Sequence, residues 1–272
     1  MSAGPYLLSL KRQGSGPLVV LIHGAAGGTL IWGPVAERLA GTHEVVSIDL
    51  LGYGDSPKPR IEYTLEAHTE AIHHTLAHHG ITGPFAMAGL SMGCLLVLEY
   101  ARRWPGEVKQ LLCVGPPYFD TPDEARFYLR RSFNARMALE RPTAARLAMG
   151  PVWKAARHSR LLSSKFSRIY TPEMTQQSMQ NTFQAFRSSL IHCMVEVRYQ
   201  PLLDATKAIR QDYLYGELDR YVPLDHIRSA LEKLPNASLE ILPNIGHNPV
   251  VIAPGDTAAW MLSKLAIPAR SG

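Results

Sequence analysis

Cysteine is scarce: three in 272 residues, Cys94, Cys113 and Cys193, an odd number and each set among apolar neighbours. A disulfide framework or a structural zinc site needs paired, closely spaced ligands. Neither organises this chain, and the three thiols read as small buried hydrophobes in a reduced compartment. Long apolar runs are also missing. None approaches the roughly 18 residues that a membrane-spanning helix needs. Residues 1–10 lack the basic stretch before an apolar one that marks a secretory leader. The expectation is a cytoplasmic protein without membrane insertion. Charge of one sign is in no large excess, with 28 Lys and Arg against 23 Asp and Glu. There is no tight basic cluster and no recognisable nucleic-acid module, which argues against a nucleic-acid partner. Internal repeats and low-complexity segments do not occur either.

What is present suits a packed globular chain, with 46% hydrophobic and 19% charged residues. Residues 18–22 form a continuous Val- and Ile-rich run ending at His23-Gly24, the pattern of a strand buried on both faces. Helical spacing follows over 32–40, and a second β-rich run over 44–48. Residues 65–79 place Leu65, Thr69, Ile72 and Leu76 on one stripe, with Gly80 as the stop. Further strands are predicted over 85–88 and 108–114, flanking a helix over 92–103 that Trp104-Pro105 halts. From about 119 to 200 no strand is read, only Ala-, Arg- and Met-rich helical stretches broken at Pro122, Pro142, Pro151 and Pro172. Alternation resumes with a strand over 213–215, a helix over 224–234, a strand over 238–242 and a helix over 257–265. The reading is an α/β fold, a mostly parallel sheet with helices on both faces and a helical insertion.

The positive charge is concentrated in that insertion. Between positions 120 and 200, 13 Lys and Arg stand against six Asp and Glu, more than the whole chain's formal net charge of +5. Spread along amphipathic helices, these side chains read first as a solvated face. The alternative is attraction of an anionic substrate or an acidic carrier.

Chemistry is concentrated at Gly89-Leu90-Ser91-Met92-Gly93, which follows a predicted strand and opens a predicted helix. There it reads as a nucleophile elbow, a sharp turn that holds the serine hydroxyl clear of the backbone. Only small residues fit two positions to either side of the strained serine, which accounts for both glycines. A serine needs a base, and the base needs orienting. His247, in the loop Gly246-His247-Asn248-Pro249 after the last strand, is the candidate base. Five other histidines, 68, 73, 74, 78 and 79, crowd one helix and read as its solvated face. His74 and His78 have i, i+4 spacing but no third ligand, so no metal is read there.

Asp219, in the turn Tyr215-Gly216-Glu217-Leu218-Asp219-Arg220-Tyr221-Val222-Pro223, is the candidate orienter, with Asp120 as rival. Ser91, Asp219 and His247 all fall in loops at the C-terminal ends of predicted parallel strands, where open α/β sheets bind ligands. Their order along the chain matches one familiar triad arrangement and excludes two others. Two backbone N–H groups are expected to receive a developing oxyanion, those of Met92 and Ala25. Ala25 lies in His23-Gly24-Ala25-Ala26-Gly27-Gly28, a turn without the spacing of a phosphate-binding loop. No cofactor is read.

Together these residues resemble the α/β-hydrolase superfamily over nearly the whole chain. The likeness takes in the His23-Gly24 turn, Trp32, the Asp49-Leu50-Leu51-Gly52-Tyr53-Gly54-Asp55-Ser56-Pro57 loop, the elbow at Ser91, Asp219 and the Gly246-His247 loop. Within the superfamily it is similar to cap-bearing serine esterases, lactonases and cofactor-free perhydrolases, whose elbows often read G-x-S-M-G. The resemblance implies a core of residues 1–118 and 201–272 under a cap of residues 119–200, with Tyr118, Phe119 and Phe127 as candidates to line the pocket. Two departures stand out. Residues 6–10 supply at most one strand before the buried one, and Ile252 and Pro254 stand where the family often has Glu-x-Pro. The expected reaction is hydrolysis of an ester-type bond in a small acyl substrate through an acyl-serine. A thioester, lactone or C–C substrate, attack by peroxide in place of water, and a receptor that keeps the fold are the alternatives.

Overall fold

Runs that are apolar on every residue can form strands only where both faces of the sheet are covered, and the fold covers both. The computed structural model describes residues 6–156, 158–159, 163–164, 169–222 and 224–266. Pro223 of the acid turn and Arg157, Arg160, Lys165 and Arg168 of the basic insertion lie outside them, as do residues 1–5.

Seven strands, β1 (Leu10–Gln13), β2 (Leu18–Ile22), β3 (Glu44–Ile48), β4 (Phe85–Leu90), β5 (Val108–Val114), β6 (Arg210–Gly216) and β7 (Ala237–Leu242), form one sheet in the order β1-β3-β2-β4-β5-β6-β7. Every neighbouring pair is parallel except β1 with β3. Alternate residues serve opposite cores, as a side-chain period of two requires. Val19, Leu21, Ala86, Ala88 and Leu112 pack with Trp32 and Trp260 on one face. Val20, Ile22, Met87, Leu111 and Tyr213 pack with Leu95, Leu98 and Ile72 on the other. Each fully buried Val, Leu, Ile or Met side chain among them contributes roughly 1.5–3 kcal/mol.

The chain passes from β2 to β3 on one side, then crosses to β4 on the other. The carboxyl ends of β2 and β4 therefore flank a topological switch point, the crevice where such sheets bind ligands. Both the His23–Gly28 turn and Ser91 emerge there.

While β4 runs on through Gly89 and Leu90 and β7 starts one residue early, two strands depart by three residues or more from the sequence expectation. The first lies at Leu10–Gln13 rather than within 6–10, because as an antiparallel edge strand it tolerates the exposed Lys11, Arg12 and Gln13. β6 starts three residues before Tyr213. Its polar opening is buried yet satisfied: Gln110 and Ser238 donate to Asp212 at 2.8 and 2.6 Å, and Tyr213 donates to Gln211 at 2.6 Å. The histidine-rich helix, Leu65–His78, is also less solvated than its composition suggests. His68 is completely buried, between Tyr53 and Tyr63 and 3.0 Å from Ser189.

Between β5 and β6 the described elements are helical: Pro122–Leu129, Phe133–Glu140, Pro142–Ala156, Pro172–Ser178, Phe183–Leu190 with a π turn at Ile191–Val195, and Tyr199–Thr206. Thr121, Ser132, Thr171 and Thr182 cap four of them by accepting from the backbone N–H three residues on. Among the described residues no helix is long and apolar enough to cross a membrane.

Candidate active site

Ser91 stands between β4 and the helix Met92–Arg103 with φ 51° and ψ −119°, a strained conformation for a residue with a Cβ. Its backbone is pinned by donation from its N–H to the Val114 carbonyl at 2.8 Å. The flanking glycines are dictated by proximity. A Cβ on Gly89 would lie 2.5 Å from the Cys94 nitrogen, and one on Gly93 2.5 Å from the Ile22 carbonyl oxygen. The elbow helix thus sits directly against the end of β2.

Asp219 and His247 arrive from the loops that follow β6 and β7. Their loops pack so closely that a Cβ on Gly216 would lie 2.3 Å from the Gly246 carbonyl oxygen. His247 Nδ1 lies 2.7 Å from Asp219 Oδ2, and Nε2 lies 3.0 Å from Ser91 Oγ. A carboxylate only accepts, so Nδ1 carries the hydrogen and donates, leaving Nε2 to accept from the serine hydroxyl. The other Asp219 oxygen accepts from the Tyr221 N–H at 2.8 Å, and the Tyr221 ring meets the imidazole edge-on at 5.2 Å. Asp219's carboxylate is almost completely buried, at 4% exposure. Asp120, the rival acid, is turned elsewhere and lies 3.7 Å from His226.

The turn after β2 closes on itself, Gly27 N–H donating to the Gly24 carbonyl at 3.1 Å. His23 is buried beneath it. Leu50 N–H donates to His23 Nε2 at 3.0 Å, so Nδ1 is the donor to the Gly24 carbonyl at 2.7 Å. Burial holds the His23 imidazole below its ordinary range, against the pull of Asp49. Gly24 lies against Ser91, since a Cβ there would be 3.3 Å from Ser91 Cβ. Ala25 lines the cavity above Ser91. Met92 directly follows Ser91, in the first helical turn, where N–H groups have no intrahelical acceptor.

That cavity, of about 350 Å³, is bounded by Ser91, His247 and the Gly24–Gly27 turn, with Leu129, Phe186 and Met194 among its apolar walls. Phe119 also lines it. Tyr118 instead packs on Tyr199 at 4.5 Å, and Phe127 is 57% exposed. Tyr170 and Asn248 went unmarked in the sequence; both line the cavity, and Asn248 Nδ2 donates to the Tyr170 hydroxyl at 2.9 Å. No periodicity signals such a pair, because the two come from loops 78 positions apart. Asp120, Glu124 and His226 form another cluster absent from the sequence reading, with donor atoms all within 4.8 Å of one another.

The family model described as alpha/beta hydrolase fold matches residues 17–254. A probable lysophospholipase, BODYGUARD 3 of Arabidopsis thaliana, is 36% identical over 109 residues, which make up 38% of this chain and 22% of the relative. The uncharacterized protein Rv2715 of Mycobacterium tuberculosis is 29% identical over 259 residues, covering 90% of this chain and 74% of that one. Among solved structures, a bromoperoxidase from Bacillus anthracis superposes with a TM-score of 0.77 at 15% identity, over 97% of both chains.

Proposed function

The chain belongs to the alpha/beta hydrolase family, and on that premise we propose that it is a serine hydrolase cleaving carboxylic esters through an acyl-enzyme on Ser91. One observation carries this reading: an unbroken hydrogen-bonded line from Asp219 through His247 to Ser91, at 2.7 and 3.0 Å, that opens on an apolar cavity. Ser91 Oγ attacks the ester carbonyl while His247 Nε2 takes its proton. Asp219 fixes the tautomer and stabilises the imidazolium. The N–H groups of Met92 and Ala25 receive the oxyanion, each such donor being worth about 3–4 kcal/mol of barrier. His247 returns the proton to the leaving alcohol, and water, activated in the same way, releases the acid.

The helical segment 119–200 serves as the cap. Its apolar side chains over the serine favour an uncharged acyl group, and the plant relatives named as probable lysophospholipases agree with an ester substrate. Three cap arginines are engaged within the protein. Arg130 pairs with Glu140, Arg131 donates to the Arg220 carbonyl, and Arg187 donates to the Ala138 carbonyl.

The test is Ser91→Ala assayed with a p-nitrophenyl ester and a fluorophosphonate probe. Turnover and labelling both disappear if the reading holds. Persistent labelling of another serine in the variant overturns it.

A further inference from the structure

The turn that carries Ala25 is held from two sides, and one of them is the helical insertion. On the core side, His23 and the Gly27 N–H both donate to the Gly24 carbonyl. On the other side, three residues at and just beyond the end of the helix Pro172–Ser178 grip the next part of the turn. Ser178 Oγ donates to the Ala26 carbonyl at 2.6 Å, and Asn181 Nδ2 lies 3.4 Å from the Gly27 carbonyl. Gln177 accepts from the Leu30 N–H at 2.9 Å and donates to Thr29 Oγ1 at 3.0 Å. Its side chain also fills the space a Cβ on Gly28 would need, 2.4 Å away. Gln177 and Asn181 are both buried.

Peptide planarity links these contacts to the site. A carbonyl and the N–H that follows it lie in one plane and point in opposite directions. Ser178 holds the plane of Ala26 and Gly27; that plane's N–H donates to the Gly24 carbonyl. The Gly24 carbonyl belongs to the plane whose N–H is that of Ala25. Two rigid planes therefore run from a cap hydroxyl to an oxyanion donor.

We propose that Ser178, backed by Gln177 and Asn181, is a positioning residue that sets the direction of the Ala25 N–H from the cap. The inference rests on the serine-hydrolase reading, and it makes the cap part of the oxyanion apparatus as well as a roof over the pocket. Ser178 touches no reacting atom. Its effect is confined to states in which the substrate carbonyl carries negative charge, so ground-state binding is untouched.

The experiment compares the parent, Ser178→Ala and Ser178→Thr on a soluble p-nitrophenyl ester, and measures affinity for an alkyl trifluoromethyl ketone, which forms a tetrahedral oxyanion on a serine. Loss of one hydrogen bond's worth of alignment lowers kcat about 2- to 12-fold in Ser178→Ala. KM stays unchanged, the ketone's affinity falls by the same factor, and Ser178→Thr restores both. A merely structural role would lower stability without this matched loss. An unchanged kcat, or a changed kcat with unchanged ketone affinity, overturns the inference while leaving the serine-hydrolase reading intact. A parent that neither turns over ester nor binds the ketone sinks both.

Discussion

Gly93→Ala separates two effects that most core substitutions confound. Within a helix the exchange is intrinsically favourable by about 1 kcal/mol. Here a new methyl would stand 2.5 Å from the Ile22 carbonyl oxygen and 2.8 Å from that of His23, both backbone atoms that cannot rotate aside. Ordinary contact begins at 3.4 Å, so the elbow helix must withdraw from β2 by roughly 0.9 Å. Overpacking of this kind costs about 1–3 kcal/mol, leaving a net loss of no more than about 2 kcal/mol once helix propensity is credited. Catalysis is less forgiving, since a misplacement of about 1 Å lowers rates about 100-fold. Urea melts and ester kinetics should show a folded protein of modestly reduced stability whose kcat is down by about two orders of magnitude. Gly255→Ala, in the first turn of the helix Pro254–Leu265 with open space around it, is the matched control and keeps full activity. An unchanged kcat in Gly93→Ala would refute the claim that this contact registers Ser91 against His247.

Two further outcomes follow from the site and the core. Asp219→Asn should lower kcat about 10⁴-fold by mis-setting the imidazole tautomer, whereas Asp120→Asn should leave it alone; the opposite pattern in a kinetic comparison would transfer the role to Asp120. Stability should fall on mild acidification, because burial pushes His68 down to about 3 and also lowers His23, each from an ordinary 6.5. Both rings are neutral when folded and take up protons on unfolding below 6.5. The contribution of each is therefore whole above that pH and is lost as pH falls below it, for His68 down to about 3. Denaturant midpoints that are equal at pH 7 and pH 5 would contradict this.

Much of the fold is legible because burial on both faces leaves an unmistakable apolar run, as at Leu18–Ile22 and Phe85–Leu90. Where polar residues enter strands, the signal disappears. Lys11 and Arg12 are tolerated at an edge, and Gln211 and Asp212 are tolerated because Thr206 and Gln110, from other elements, bond them. The residues that meet at Ser91 stand out because each sits in a turn whose chemistry is local: a G-x-S-x-G, a Gly-His, an acid after a strand. Gln177, Ser178 and Asn181 carry no such mark. Their significance comes from partners roughly 150 positions away, which only packing reveals. His68 was misread for a related reason: a polar name suggests water, but the aromatic rings of Tyr53 and Tyr63 decided otherwise.

The separation of Ser91 from His247 by 156 positions also bears on how the protein is made. On the serine-hydrolase reading, a chain still leaving the ribosome displays its serine long before its histidine exists, and the hydroxyl stays inert until His247 is in place. Chemical reactivity then reports completed folding, and titration with a serine-directed probe counts native molecules in a mixed preparation.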